Sequence, residues 1–162
     1  MKKTEADMRV RPIGVIRSPF TEVAGMPIQP VFAKEAEGAA EVFPEFREGL
    51  RDIEGFERVW LVYWFHRAGE PKLIVKPFRD DRERGLFATR APCRPNTIGL
   101  SAVRLLGVSR DGLRIAGVDV LDGTPLLDIK PYVPDYDAFP KSRSGWLDNP
   151  LRRTTSDNRF DT

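Results

Sequence analysis

The chain of 162 residues holds one cysteine and one histidine. A single cysteine excludes an internal disulfide and a multi-cysteine zinc site. A single histidine excludes a multi-histidine metal centre, so no metal is expected. No apolar run approaches the roughly 20 residues a membrane-spanning helix needs. The opening stretch MKKTEADMRV carries two lysines with no apolar segment behind them, unlike a secretory signal. These absences lead to the expectation of a cytoplasmic protein without a membrane partner. GxGxxG and GxxxxGK[ST] loops are also missing, which argues against a Rossmann nucleotide site and a P-loop. Charge of one sign is scarce too: 26 basic residues face 24 acidic ones, for a net charge of +2. That is too small to establish a nucleic-acid partner by itself.

A composition of 41% apolar and 31% charged residues is that of a globular domain with chain enough to bury a core. Arginine supplies 19 of the 26 basic residues. Its planar fork suits phosphate and stacks on bases, although genomic composition bias explains the same count. Residues 1–8 read as a loose terminus. VRPIGVIRSPF (10–20) is β-branched and stops at Ser-Pro, as a strand does before a turn. A proline-rich loop follows (21–30), then a short strand (38–44). EFREGLRDIEGF (45–56) places Phe46, Leu50 and Ile53 at helical spacing, predicting one short amphipathic helix. RVWLVYWFH (58–66) is the strongest strand. Both of its faces are apolar, which predicts cover on both sides. KLIVKPF (72–78) reads as another strand. Residues 98–123 read as a hairpin around Asp111-Gly112, and TPLLDIKPYVP (124–134) as a last strand. Residues 135–162 read as an extension with anchors such as Trp146. Many short strands and little helix give a mainly all-β fold, an antiparallel barrel or sandwich with one or two short helices. Residues 1–134 form its domain.

Chemistry concentrates in FATRAPCRPNTIGLS (87–101), where Arg90 and Arg94 flank Cys93 and a Pro95-Asn96-Thr97 turn follows. Arginines and an amide beside a stiffened turn suit an anion or a nucleobase. Alternatively, Pro95 and Asn96 only launch the next strand. His66 ends an apolar strand, where a structural, hydrogen-bonded histidine is the commoner outcome. Cys93 reads as a bystander. In LDGTPLLDIKPY (121–132), Asp122-Gly123-Thr124-Pro125 is a tight polar turn, the kind that either holds a ligand or connects strands. Asp128 and Lys130 share one strand face. They read as a weak surface pair if solvated and as functional if inside a barrel mouth.

The segments GVIRSPF, PIQ, FH, FATRAPCRPNTIGLS and LDGTPLLDIKPYVP, spread over residues 13–134, resemble in kind and order those of the TrmO-type tRNA methyltransferases. The resemblance implies a small antiparallel β-barrel that binds S-adenosylmethionine and forms a homodimer with the cofactor near the interface. It implies N6-methylation of N6-threonylcarbamoyladenosine next to the tRNA anticodon. The cofactor site carried over by motif comprises Pro27, Gln29, His66, Arg90 and the turn Asp122, Gly123, Thr124 and Pro125. Arg67 is placed with them, although other members have glutamine there. Ile28 stands where many have arginine, and Thr97 where a second proline is usual. Residue chemistry alone, without carry-over, puts Asp128 as proton acceptor and Asn96 as the group orienting the base. On the same ground Arg94 is placed on an RNA phosphate, with Lys130 and Tyr132 on the substrate side. The alternatives are a barrel that binds S-adenosylmethionine or RNA without this activity, and a methyltransferase acting on another substrate.

Overall fold

The computed structural model describes residues 8–34 and 36–161. Most of the loose terminus expected at residues 1–8 therefore lies outside the described residues. Among the described residues eight strands form in chain order: β1 (Gly14–Arg17), β2 (Glu37–Val42), β3 (Arg58–Trp64), β4 (Ile74–Val75), β5 (Arg84–Gly85), β6 (Ile98–Ser109), β7 (Gly112–Ala116) and β8 (Thr124–Pro131). Six of them close into an antiparallel barrel in the order β1-β2-β7-β6-β3-β8, with β8 returning to β1. The alternation of the strands explains the closure. Ile16, Val42, Val59, Leu61, Val103, Leu113, Ile115 and Leu126 all point inward and are buried as one core. A closed sheet leaves no edge to protect. The barrel, rather than the sandwich, is what the structure shows. Among the described residues no helix is long and apolar enough to cross a membrane.

The expected helix over 45–56 is instead two 3-10 turns, Pro44–Leu50 and Ile53–Gly55, broken at Asp52 with φ 68°. Phe46, Leu50 and Ile53 do pack on the barrel core, so the apolar spacing identified the right face. Gly49 and Gly55, poor helix formers, favour short turns over a continuous helix. The expected strand over 72–78 shrinks to β4, paired only with β5, because Pro71 and Pro77 bracket it and cannot donate to a ladder. The hairpin forms as β6 and β7 around Arg110–Asp111, but residues 117–121 leave the sheet. Gly117 takes φ 79° and turns the chain across the barrel end, burying Val118, Asp119, Val120 and Leu121. The four-residue helix α1 (Pro134–Asp137) follows β8. Asp137 accepts hydrogen bonds from Trp60 Nε1 at 3.0 Å and from the Val133 N–H at 2.9 Å.

Residues after α1 do not trail away. The 154–156 segment pairs with residues 25–28 through Ile28 N–H to Thr154 O, Ser156 N–H to Met26 O and Gly25 N–H to Ser156 O. Phe160 enters a second apolar cluster with Val75, Leu86, Ala91 and Cys93. The barrel strands end at Pro131, and the packing continues beyond them. Cys93 is fully buried in this second cluster.

Candidate functional site

One end of the barrel opens into a cleft of about 780 Å³, a size suited to a small ligand or cofactor. Its floor comes from the barrel. Tyr63 on β3 faces inward opposite Gly99 on β6. A Cβ at Gly99 would lie 2.2 Å from the Tyr63 ring, so only glycine lets the ring lie across that strand. The Tyr63 hydroxyl meets Ser101 Oγ at 2.8 Å, and Ser101 Oγ donates to Asp119 Oδ1 at 2.7 Å. When Asp119 is ionised the serine proton goes to it, and Tyr63 is then the donor to Ser101. Asp119 is 8% exposed and faces the cleft. Burial pushes its carboxyl up to about 7, against the Ser101 hydrogen bond and the Arg90 charge. Burial, and then the charge of Asp119, likewise hold the Tyr63 phenol well above its ordinary value.

The walls come from loops. Arg90 donates from a guanidinium nitrogen to Gln29 Oε1 at 2.7 Å, joining residues 61 positions apart. His66 follows β3 into the cleft, and its Nδ1 is buried with no hydrogen-bond partner among the described residues. A buried polar atom without a partner is uncommon and marks a place where a ligand can supply one. Arg67 reaches Asp161 at 3.9 Å. The rim carries Phe87, 77% exposed, and Trp146, whose Nε1 donates to Ala88 O at 2.8 Å. Arg94 donates to Thr89 O and Ala91 O at 3.0 and 3.2 Å and lies over the Phe87 ring at 5.7 Å. It therefore braces the 87–94 loop from within. Asp157 is held down to about 2 by Arg159, chiefly through their hydrogen bond.

Of the residues singled out from sequence, the cleft gathers Pro27, Gln29, His66, Arg67, Arg90, Arg94 and Thr124. Others lie elsewhere. The Asp122–Pro125 turn does not present free backbone donors. The N–H groups of Asp122, Gly123 and Thr124 go to Phe20 O, Ile16 O and Leu121 O, and the Asp122 carboxylate accepts from Ser18 N–H. Gly123 at φ 81° closes that turn, and Pro125 pairs with Val15 in the barrel wall. Of the four, only Thr124 reaches the cleft; the turn's work is to fix the 117–121 crossing. Asp128 also lies outside this lining. It is a half-exposed partner of Lys130 at 3.0 Å, away from the cleft lining, where no buried proton acceptor is made. Lys130 is exposed beside it, and Tyr132 packs on Trp60 at 5.5 Å. Asn96 is exposed outside the lining, and its backbone oxygen accepts from Ile98 N–H at 2.7 Å. That is the strand-launching arrangement.

Sequence reasoning missed Asp119, Ser101 and Tyr63. A signal was present: Asp119 is the sole charge in the apolar run IAGVDVL. Its burial makes a direct test. A carboxyl raised from its ordinary value is neutral in the folded state below about 7. The stability it contributes is therefore full below its unfolded value and lost as pH rises through 7. Asp119→Asn should raise stability at about pH 8 by about 1–2 kcal/mol, once the desolvation relieved is set against one weakened hydrogen bond. The gain should vanish near pH 4. Thermal melts across pH check this; a gain that grows toward acid would refute it.

Residues 15–138 match the family model described as the tRNA-methyltransferase O N-terminal domain. A Pyrococcus abyssi protein named as a probable S-adenosyl-L-methionine-binding protein is 54% identical over 153 residues, covering 93% of this chain and 83% of the relative. The mouse tRNA (adenine(37)-N6)-methyltransferase is 37% identical over 139 residues, covering 82% of this chain but 32% of that protein. The crystal structure of TrmO from Pseudomonas aeruginosa superposes with a TM-score of 0.73 at 45% identity, covering 86% of this chain and 62% of that one. The chain thus spans less than two thirds of the Pseudomonas protein and about a third of the mouse enzyme.

Proposed function

The chain belongs to the tRNA-methyltransferase O family, and on that footing we propose that it binds S-adenosylmethionine in the cleft and methylates N6 of N6-threonylcarbamoyladenosine beside the tRNA anticodon. The observation that carries this reading is the convergence of Gln29, His66, Arg90 and Thr124, remote in sequence, on one hollow that holds an unpartnered buried imidazole nitrogen. These residues fit the cofactor. The Arg90 guanidinium suits its carboxylate. His66 Nδ1 suits its hydroxyl or amino groups. The apolar walls at Phe65, Leu100 and Leu121 suit its adenine. When bound, the cofactor supplies an electrophilic methyl group on a sulfonium. The chain's own contribution is to orient ligands, exclude water and hold charge, since transfer depends on alignment. Phe87 and Trp146 at the rim offer aromatic surface on which an unstacked base can lie; Arg84, paired with Asp80 at 2.6 Å, packs over Trp146 at 5.6 Å.

Incubation with methyl-labelled cofactor and bulk tRNA, followed by nucleoside mass spectrometry, tests the reading. Label in methylated threonylcarbamoyladenosine supports it. Cofactor binding without label in any nucleoside would replace it with a binding module, and label in another nucleoside would replace the substrate.

A homodimer belongs to the same proposal. The inner face of β3 fills the barrel. On its outer face Trp60 is covered by Tyr132 and α1. Trp64, Ile98 and Leu100 remain 46%, 41% and 48% exposed, and Trp64 and Ile98 are register partners. Ile98 and Leu100 also line the cleft, so the patch adjoins the site. The chain should sediment as a dimer at micromolar concentration and Trp64→Arg as a monomer. A monomeric wild type would remove the dimer.

A further inference from the structure

The cleft is crowded with positive charge: Arg67, Arg79, Arg90 and Arg94 all line it. Two of its three carboxylates are already engaged. Asp157 is held by Arg153 and Arg159 at 2.8 and 2.7 Å, and Asp161 faces Arg67. Asp119 differs. It lies on the floor, and the hydrogen bonds it receives come from Ser101 and from its own backbone N–H. It has no ion-pair partner among the described residues. A cationic ligand entering here meets guanidinium groups on the walls and finds, at the bottom, one carboxyl that no ion pair engages.

We propose that Asp119 is the countercharge that seats the fixed positive charge of the cofactor, and that binding converts its carboxyl from the neutral to the ionised form. The proposal rests on the reading of the cleft as an S-adenosylmethionine site. The balance is simple. The neutral carboxyl and a ligand cation give a carboxylate–cation pair, and one proton leaves to solvent; no carbon bond changes. The Ser101 hydroxyl, backed by Tyr63, then donates to a full carboxylate. Loss of the methyl group leaves a neutral thioether, so the countercharge loses its partner, takes back a proton and no longer holds the product. Asp119 would thereby favour cofactor over product through charge alone.

The surroundings permit the assignment. Burial keeps the apo carboxyl neutral up to about 7. Tyr63, on β3, stays protonated, and Ser101, on β6, does not titrate. Arg90, on the 86–94 loop, and Arg67, 3.9 Å from Asp161, line the cleft. His66, after β3, and Asp161, whose carboxyl burial raises, also line the cleft, and Asp119→Asn separates Asp119 from both. S-adenosylhomocysteine has the same adenosine and amino-acid groups without the sulfonium, so their contributions cancel in the comparison.

Calorimetric titration of the full chain with each nucleoside, in two buffers of different ionisation enthalpy, reads the proton count. At about pH 6 S-adenosylmethionine should release close to one proton more than S-adenosylhomocysteine, and at about pH 8.5 no more than it. S-adenosylmethionine affinity should fall about tenfold for each pH unit below 7, that of S-adenosylhomocysteine much less. Asp119→Asn should abolish the difference in protons and cut the preference for S-adenosylmethionine by about tenfold or more, with S-adenosylhomocysteine changed by less than about threefold. Equal proton counts for the two ligands in wild type, or a difference that persists in Asp119→Asn, would overturn the proposal while leaving the cofactor reading intact. Absence of binding heat for both nucleosides would overturn the cofactor reading and the proposal with it.

Discussion

Arg90→Ala is expected to weaken S-adenosylmethionine binding by roughly 1.5–3 kcal/mol, or roughly 10- to 150-fold. The guanidinium is exposed to the cleft rather than packed in a core. Its side-chain hydrogen bond in the chain goes to Gln29 at 2.7 Å. Removing it should leave folding stability within about 0.5 kcal/mol, so any loss of binding reports on the site. Arg90 also contributes electrostatically to the floor, where its charge lowers both Asp119 and Tyr63. The mutant should therefore show the pH dependence of binding moved to higher pH, since the Asp119 carboxyl rises when the nearby cation is lost. Arg90→Lys keeps the charge and loses the fork; it should retain the pH position while recovering only part of the affinity. Calorimetric titration of the three proteins decides this. An unchanged dissociation constant in Arg90→Ala would take Arg90 out of the site.

Phe160→Ala should be the more damaging change to the fold. The ring is 6% exposed, packs edge-on against Phe78 at 5.1 Å, and closes the cluster of Val75, Leu86, Ala91 and Cys93. Truncating a buried phenylalanine costs about 3–5 kcal/mol. In a chain of this size that lowers the melting temperature by roughly 6–20 °C. The consequence should reach the ligand. Phe160 lies in the cleft wall, its carbonyl accepts from Gly69 N–H, and Ala68 bridges to Asp161 beside it. Loosening this wall should weaken cofactor binding along with stability. Leu113→Ala, in the barrel core and away from the cleft lining, provides the contrast: a comparable loss of stability with affinity preserved at a temperature where the mutant is folded. A Phe160→Ala protein with wild-type melting and wild-type affinity would mean that the C-terminal segment does not dock as described.

Much of this molecule is decided along the chain itself. The strand period puts Val59 with Leu61 on one face of 58–64 and Leu113 with Ile115 on one face of 112–116; in 58–64 both faces are apolar, and barrel closure decided which one went inside. The two-residue turn Arg110–Asp111, one position before the Asp-Gly expected from sequence, sets the β6–β7 pairing locally. Long motifs such as FATRAPCRPNTIGLS and LDGTPLLDIKPYVP point to a family and its cofactor, because so many residues agree in order. The helical spacing at 46, 50 and 53 identified a packing face, yet weak helix formers made 3-10 turns of it. What one residue's surroundings do to its charge is not written in local pattern. Asp128 and Asp119 are both aspartates near apolar runs. Asp128 ends in water beside Lys130, and Asp119 ends on the cleft floor, because Gly117 and Gly123 take the chain out of the sheet between β7 and β8. The meeting of Gln29 with Arg90, and the return of residues 145–161 to wall the cleft, likewise depend on barrel closure bringing distant segments to one end. Burial is a property of the closed barrel, and burial alone moves a carboxyl from its ordinary range to about 7.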